Sequence, residues 1–298
     1  MYYECFRILT VMLMCFLLPC ENASGQNSEI TPNGEQVLRA FQSSFPDKVS
    51  EVSFIDDDWT ITAGGQTFYW AEGRLLPQAE RENIDSFDPH DFYHYPAKAR
   101  SPDSFSPQYI EEMRNSAKPE NRRSPNKTSY ALHGALYGGN TRAEIEEMFE
   151  SIVFFDKRIV VHRMIAEPLR KVEAEIMGYK GAEIFIASLE SVHAYNWREI
   201  AGTQRMSYHS WGLAVDILPK ELNGQAIYWQ WEWNKNKDWM LIPLQNRWSP
   251  PGLVVEAFER QGFIWGGKWL FFDNMHFEYR PELIKANRLA ASENAAPN

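Results

Sequence analysis

Residues 207–217 read SYHSWGLAVDI, which places His209 and Asp216 seven positions apart with Gly212 between them. A carboxylate set among Leu213, Ala214, Val215 and Ile217 is costly to bury unless it is paired or binds a metal. Read as a strand, the stretch alternates faces. Ser207 and His209 then share one face, and Ala214 and Asp216 share another. An odd separation puts His209 and Asp216 on opposite sides of a straight strand. Gly212 tolerates backbone angles that other residues avoid, and a bend there brings both side chains to one point, with small Ala214 leaving room. A catalytic zinc site uses three protein ligands and one open position. Of the remaining histidines, His276 in DNMHFE is the best third ligand, because Asp273 stands three residues before it. A carboxylate beside a metal-bound water can serve as general base. Glu278, two positions past His276, shares its strand face and is placed to orient a ligand or to meet substrate.

The pattern S-x-H-x-x-G-x-A-x-D, followed some way on by D-x-x-H-F-E, resembles the zinc peptidoglycan peptidases. That family includes the metallo D-Ala-D-Ala carboxypeptidases and the L-alanyl-D-glutamate endopeptidases, and the hedgehog signalling domain shares its fold. The resemblance extends to AYNWREIAGTQR before the first motif, to FERQGFIWGGKW before the second and to LHGALYGG near residues 132–139, and so covers about 125–285. It implies one zinc ion held by His209, Asp216 and His276, Asp273 as general base, and Arg198 gripping a substrate carbonyl or carboxylate. Ser207 matches the family's serine and is expected near the substrate. Many carboxypeptidases of this type carry Glu at the base position. Asp273 is more like the L-alanyl-D-glutamate endopeptidase branch, without settling which bond is cut. The hedgehog domain also keeps a rival open, a non-catalytic zinc-containing module that binds peptidoglycan or protein. A metallopeptidase for ordinary L-peptides is the third reading, and its H-E-x-x-H signature is absent.

The 298-residue chain is 44% apolar and carries a net charge of -10, so a sizeable core is expected and a nucleic-acid partner is not. The expected partner is the peptide stem of peptidoglycan; the sequence leaves the oligomeric state open. Arg7, the apolar residues 8–18 and Ala23-Ser24-Gly25 have the layout of a secretory signal peptide, which predicts a secreted or periplasmic protein. Leu17-Leu18-Pro19-Cys20 is similar to a lipoprotein box, although Pro19 departs from it, so membrane contact is expected only if Cys20 is lipidated. All three cysteines, Cys5, Cys15 and Cys20, lie in this segment. Cleavage after Gly25 leaves no thiol, and any metal site must then use His, Asp or Glu.

These residues need a scaffold. The expected fold class is α+β: a small central antiparallel sheet with helices packed on it and a zinc cleft, plus a β-rich N-terminal extension. The expected divisions are 1–25 signal peptide, 26–76 β-rich extension, 77–124 proline-rich connection wrapping the surface, 125–285 zinc peptidase domain and 286–298 polar tail. Within them, 37–45 and 164–177 read as helices, and Thr141 with Glu144 as a capping box. Residues 154–161 and 182–188 read as strands. Ala63-Gly64-Gly65 reads as a hairpin turn, and Asp56-Asp57-Asp58 as a solvated turn. Trp265 and Trp269, flanking Gly266-Gly267, are expected either to line the cleft for substrate or to pack in the core. Trp229, Trp231 and Trp233 are expected to pack against the main sheet rather than form an aromatic wall. His193 is expected to pack in the core, and His90 and His94 to be too irregularly placed for a second metal site.

Overall fold

The structure is a computed structural model that describes residues 32–295; the expected signal peptide with its three cysteines lies outside the described residues. The chain begins with helix α1 (Gly34–Ser44), opened by a capping box between Asn33 and Gln36. A four-stranded antiparallel sheet follows in the order β1 (Ser53–Ile55), β2 (Asp58–Ala63), β3 (Gln66–Tyr69) and β4 (Leu76–Pro77). Asp56 and Asp57 both have positive φ, at 52° and 60°, so the β1–β2 connection is the tight turn that matches strand twist. The Gly64-Gly65 turn closes β2 onto β3, as its composition predicts.

Short helices α2 (Gln78–Arg81) and α3 (Pro107–Ser116) punctuate the proline-rich region. Helices α4 (Ala131–Tyr137) and α5 (Arg142–Glu146) follow, α5 carrying the expected Thr141–Glu144 box. The expected strand over 154–161 is a hairpin instead: β5 (Phe149–Phe154) and β6 (Lys157–His162) turn at Phe155-Asp156, with φ of 49° and 59°. An aromatic residue with positive φ is a poor turn signal, and here complete burial of Phe155 accompanies that backbone. Helix α6 (Arg163–Met177) is amphipathic as expected. Residues 182–188 are not a strand: α7 (Ala182–Ala187) is a short helix with Ile184 exposed. A brief apolar run carries no periodicity that separates the two.

The second four-stranded sheet runs β7 (Leu189–His193), β8 (Ala214–Pro219), β10 (His276–Tyr279) and β9 (Phe263–Trp265), all antiparallel. Between β8 and β9 lie α8 (Trp229–Trp233) and α9 (Gly252–Arg260). Helix α10 (Pro281–Ala295) runs through the expected polar tail. Leu283, Ala286 and Ala290 are buried at helical spacing, and α10 packs against α1, so this end of the chain is part of the fold. The class is α+β.

The N-terminal elements are not a separate body. Val37, Phe41 and Phe68 share one continuous apolar core with Leu136, Leu169, Val215 and Phe277. The proline-rich region also enters the fold rather than only wrapping it. Phe92 is buried in that core, Asp91 forms an ion pair with Arg205, and the Tyr95 hydroxyl accepts from the Trp265 amide at 2.8 Å. Met113 and Ala117 form a smaller core with Trp229, Trp239 and Phe272.

Candidate metal centre and cleft

Only half of the first motif is a strand. Residues 208–211 form one 3-10 turn, and β8 begins at Ala214. Ser207 caps the turn: its hydroxyl accepts from the His209 amide at 3.3 Å and is buried behind the histidine. The bend falls at Gly212, with φ of 62°. A Cβ there would lie 2.7 Å from the His162 backbone nitrogen and 2.9 Å from the Phe149 ring, so close packing as well as backbone angle demands glycine. Beyond the bend Val215 and Ile217 enter the core, and Asp216 faces the opposite way beside Ala214.

The sheet register then assembles the site. His276 on β10 stands directly across from Asp216 on β8, and Glu278 across from Ala214. His276 Nδ1 lies 2.7 Å from Asp216 Oδ1. His209 Nε2 lies 3.2 Å from His276 Nδ1 and 3.2 Å from Asp216 Oδ2. The three donor atoms fall within 4.8 Å of one another, and no other such group occurs among the described residues. The histidines' outer nitrogens are held as metal-ligating imidazoles usually are: His209 Nδ1 by the Ala194 carbonyl, and His276 Nε2 by Glu278 at 3.2 Å. Two imidazole nitrogens and a carboxylate, converging and braced from behind, fit a divalent cation such as zinc.

Electrostatics agree with that fit. Burial disfavours charge on both Asp216 and His276. The two imidazoles nevertheless hold Asp216 well below the usual carboxylate range, and Asp216 with Glu278 holds His276 well above the usual imidazole range. The metal-free site thus stores a proton that a cation would displace.

Asp273 sits at the entrance to β10. Its amide donates to the Gly266 carbonyl at 3.0 Å, and a Cβ at Gly266 would stand 2.6 Å from the Asp273 carbonyl oxygen. Burial pushes the Asp273 carboxyl up to about 7, and Asp216 pushes the same way. Its Oδ1 is buried without a hydrogen-bond partner. A carboxylate in that state is suited to accept a proton near neutral pH. Arg198 is exposed and forms no ion pair among the described residues. Its backbone is pinned to the metal motif, since its amide donates to Ser210 Oγ at 3.1 Å and its carbonyl accepts from the same hydroxyl at 2.9 Å.

Residues 201–279 match the D-alanyl-D-alanine carboxypeptidase family. That span includes the three candidate metal donors, Asp273 and Glu278, and it begins three residues after Arg198. A curated relative, the peptidoglycan L-alanyl-D-glutamate endopeptidase CwlK of Bacillus subtilis (strain 168), is 38% identical over 76 residues, which are 25% of this chain and 40% of that protein. The site-bearing segment is thus similar to peptidoglycan peptidases over about a quarter of the chain. Residues 37–91 match a domain family of unknown function, and no solved structure gives a significant match.

Against the family's pattern, several expected positions move. Trp265 is buried in the main core, where its indole N–H donates to the Asn274 carbonyl at 2.9 Å and props the Asp273 loop. Trp269 is half-buried with its ring 5.5 Å from that of His276, at the cleft. Trp229, Trp231 and Trp233 lie on helix α8: Trp229 packs in the smaller core instead of against the main sheet, and Trp231 is exposed. His193 is not a core residue; it is exposed and pairs across β7–β8 with Asp216. His90 is half-buried, stacked on His133 with ring centroids 5.4 Å apart, and joins no metal cluster among the described residues. Sequence reasoning missed Ser210, whose only signal was its place inside the motif, and Tyr228, which bridges the Asp273 backbone.

Proposed function

We propose that this protein is a zinc-dependent peptidase that hydrolyses the peptide stems of bacterial peptidoglycan. The observation that carries the reading is the convergence of His209, Asp216 and His276 beside a carboxylate, Asp273, with an unpartnered buried oxygen. A zinc ion held there supplies Lewis acidity, polarising a scissile carbonyl and making a water acidic near neutral pH. Asp273 takes the proton from that water at Oδ1 and delivers it to the departing amine. Glu278 and the Ala194 carbonyl keep the two imidazoles oriented. Arg198 holds a substrate carboxylate or the developing oxyanion from the cleft rim. Such a substrate lies outside the cytoplasm, in keeping with the export-signal layout of the N-terminal residues and a secreted or periplasmic location. No helix among the described residues is long and apolar enough to cross a membrane.

The test is mass spectrometry of purified peptidoglycan digested with the zinc-loaded protein. Release of terminal D-Ala identifies a carboxypeptidase, and cleavage beside the glutamate an endopeptidase, the outcome favoured by aspartate at the base position. Stoichiometric zinc and tight muropeptide binding without any hydrolysis would make the protein a binding module instead. A purified protein that takes up no zinc would overturn the reading.

A further inference from the structure

Arg122, far from the metal motifs in sequence, is brought against Trp229 and the loop that follows Arg198. It follows α3 in the proline-rich region, outside the segment that matches the family. Its guanidinium lies 4.8 Å from the centre of the Trp229 ring. On the other side stands Gly202, in the loop between Arg198 and Ser207: a Cβ there would lie 2.6 Å from Arg122 Nη1, so the bare glycine makes space for the guanidinium. Tyr228, next to Trp229 in the chain, pairs its backbone with that of Asp273, so Arg122 stands on the residue adjoining the proposed base's partner. Arg122 is half-buried, yet no carboxylate among the described residues pairs with it. A partly desolvated guanidinium held on an aromatic face and lacking a counter-anion is prepared for an anionic ligand.

We infer that Arg122 is a second substrate-binding arginine, which takes a second carboxylate of the peptide while Arg198 takes the first. This deepens the proposed function and rests on it for the substrate class. Peptidoglycan stems offer the needed chemistry, because a γ-linked D-glutamate keeps a free α-carboxylate in addition to the C-terminal one. The N-terminal region would then select stems by charge, favouring the free acid over its amide.

The test measures binding by calorimetry in the zinc-loaded Asp273→Asn background, where turnover does not interfere. The probes are a γ-D-glutamyl stem peptide with both carboxylates free and the same peptide with the glutamate α-carboxylate amidated. Losing one charge-assisted hydrogen bond weakens binding by about 10–100-fold. Arg122→Gln should lose that factor for the free acid and change the amide by less than about twofold. Arg122→Lys should recover part of it, since charge returns without the fork. Thermal unfolding of both variants checks that Trp229 packing survives. Equal losses on both peptides, or none on either, would overturn the inference, as would failure of the Arg122-intact protein to bind the free acid. Hydrolysis is read separately with Asp273 intact. A chain that binds through Arg122 but never cleaves would keep this inference and remove the proposed peptidase activity.

Discussion

Replacing Gly212 by alanine tests the bend that joins the two halves of the metal motif. Two costs are separable in the structure. The first is conformational: φ is 62°, in the left-handed region, where a Cβ costs about 1–2 kcal/mol. The second is steric. The new carbon would sit 2.7 Å from the His162 nitrogen and 2.9 Å from Phe149 Cε1. The phenyl ring can swing aside, but the His162 amide is fixed by its hydrogen bond to the Gly212 carbonyl at 3.0 Å. Forcing atoms into a packed interior adds about 1–3 kcal/mol, for a total of about 2–5 kcal/mol. Gly181 supplies the control, with φ of 90° and nothing within 4 Å of an added Cβ, so Gly181→Ala should show the conformational term alone. Urea unfolding of the two variants, read at constant m-value, gives both numbers. Zinc affinity should fall only in Gly212→Ala, because relief of the clash moves the turn carrying His209 away from β8. Equal destabilisation of the two variants, within about 0.5 kcal/mol, would refute the close-approach argument.

Asp273→Asn should lower peptide hydrolysis by about 10²–10⁴-fold while leaving zinc content and unfolding midpoint near wild type, measured by steady-state rates and metal analysis. Zinc affinity should fall as pH falls, because the cation must displace the proton that Asp216 and Glu278 hold on His276; chelator competition between pH 8 and 5.5 reads this, and a flat profile would contradict it. Burial, reinforced by Arg280, depresses His90 from the usual 6.5 to about 4. Its folded value lies below its unfolded one, so this stability is complete above pH 6.5 and is lost as pH falls through 6.5 to 4, by about 3 kcal/mol in all. His90→Phe should flatten that slope in urea melts. A chain starting at residue 125 should fail to unfold cooperatively by circular dichroism, because Val37, Leu38, Phe41, Phe68 and Phe92 leave the shared core and each is worth about 1.5–3 kcal/mol.

What was legible in the sequence was local. Asp216 in an apolar strand, with Gly212 and His209 before it, pointed to a candidate metal site, and the family resemblance added His276; the register places the three together. Helices α1 and α6 were readable in the sequence. The failures were also local in kind. The hairpin at Phe155-Asp156 hides behind a residue type that signals strand, and α7 behind a run too short to show a period. Alternation left Trp265 open between cleft and core, and burial decides for the core.

The place of Arg122 was not legible for a different reason. The matched segment contains the candidate metal donors and the proposed base, yet both arginines lie outside it. Arg198 enters through a loop whose backbone is fixed by Ser210, and Arg122 through a region whose prolines and polar residues suggest only a connector. The position of Arg122 depends on Met113 and Ala117 packing under Trp229, a contact between segments more than a hundred residues apart. No spacing rule spans that distance; the core on which the contact rests forms only when the N-terminal region and the metal-bearing sheet fold as one body. The proposed chemistry, set by register, and the proposed selectivity, set by docking, can therefore change independently, and the docking of Arg122 depends on residues 32–124.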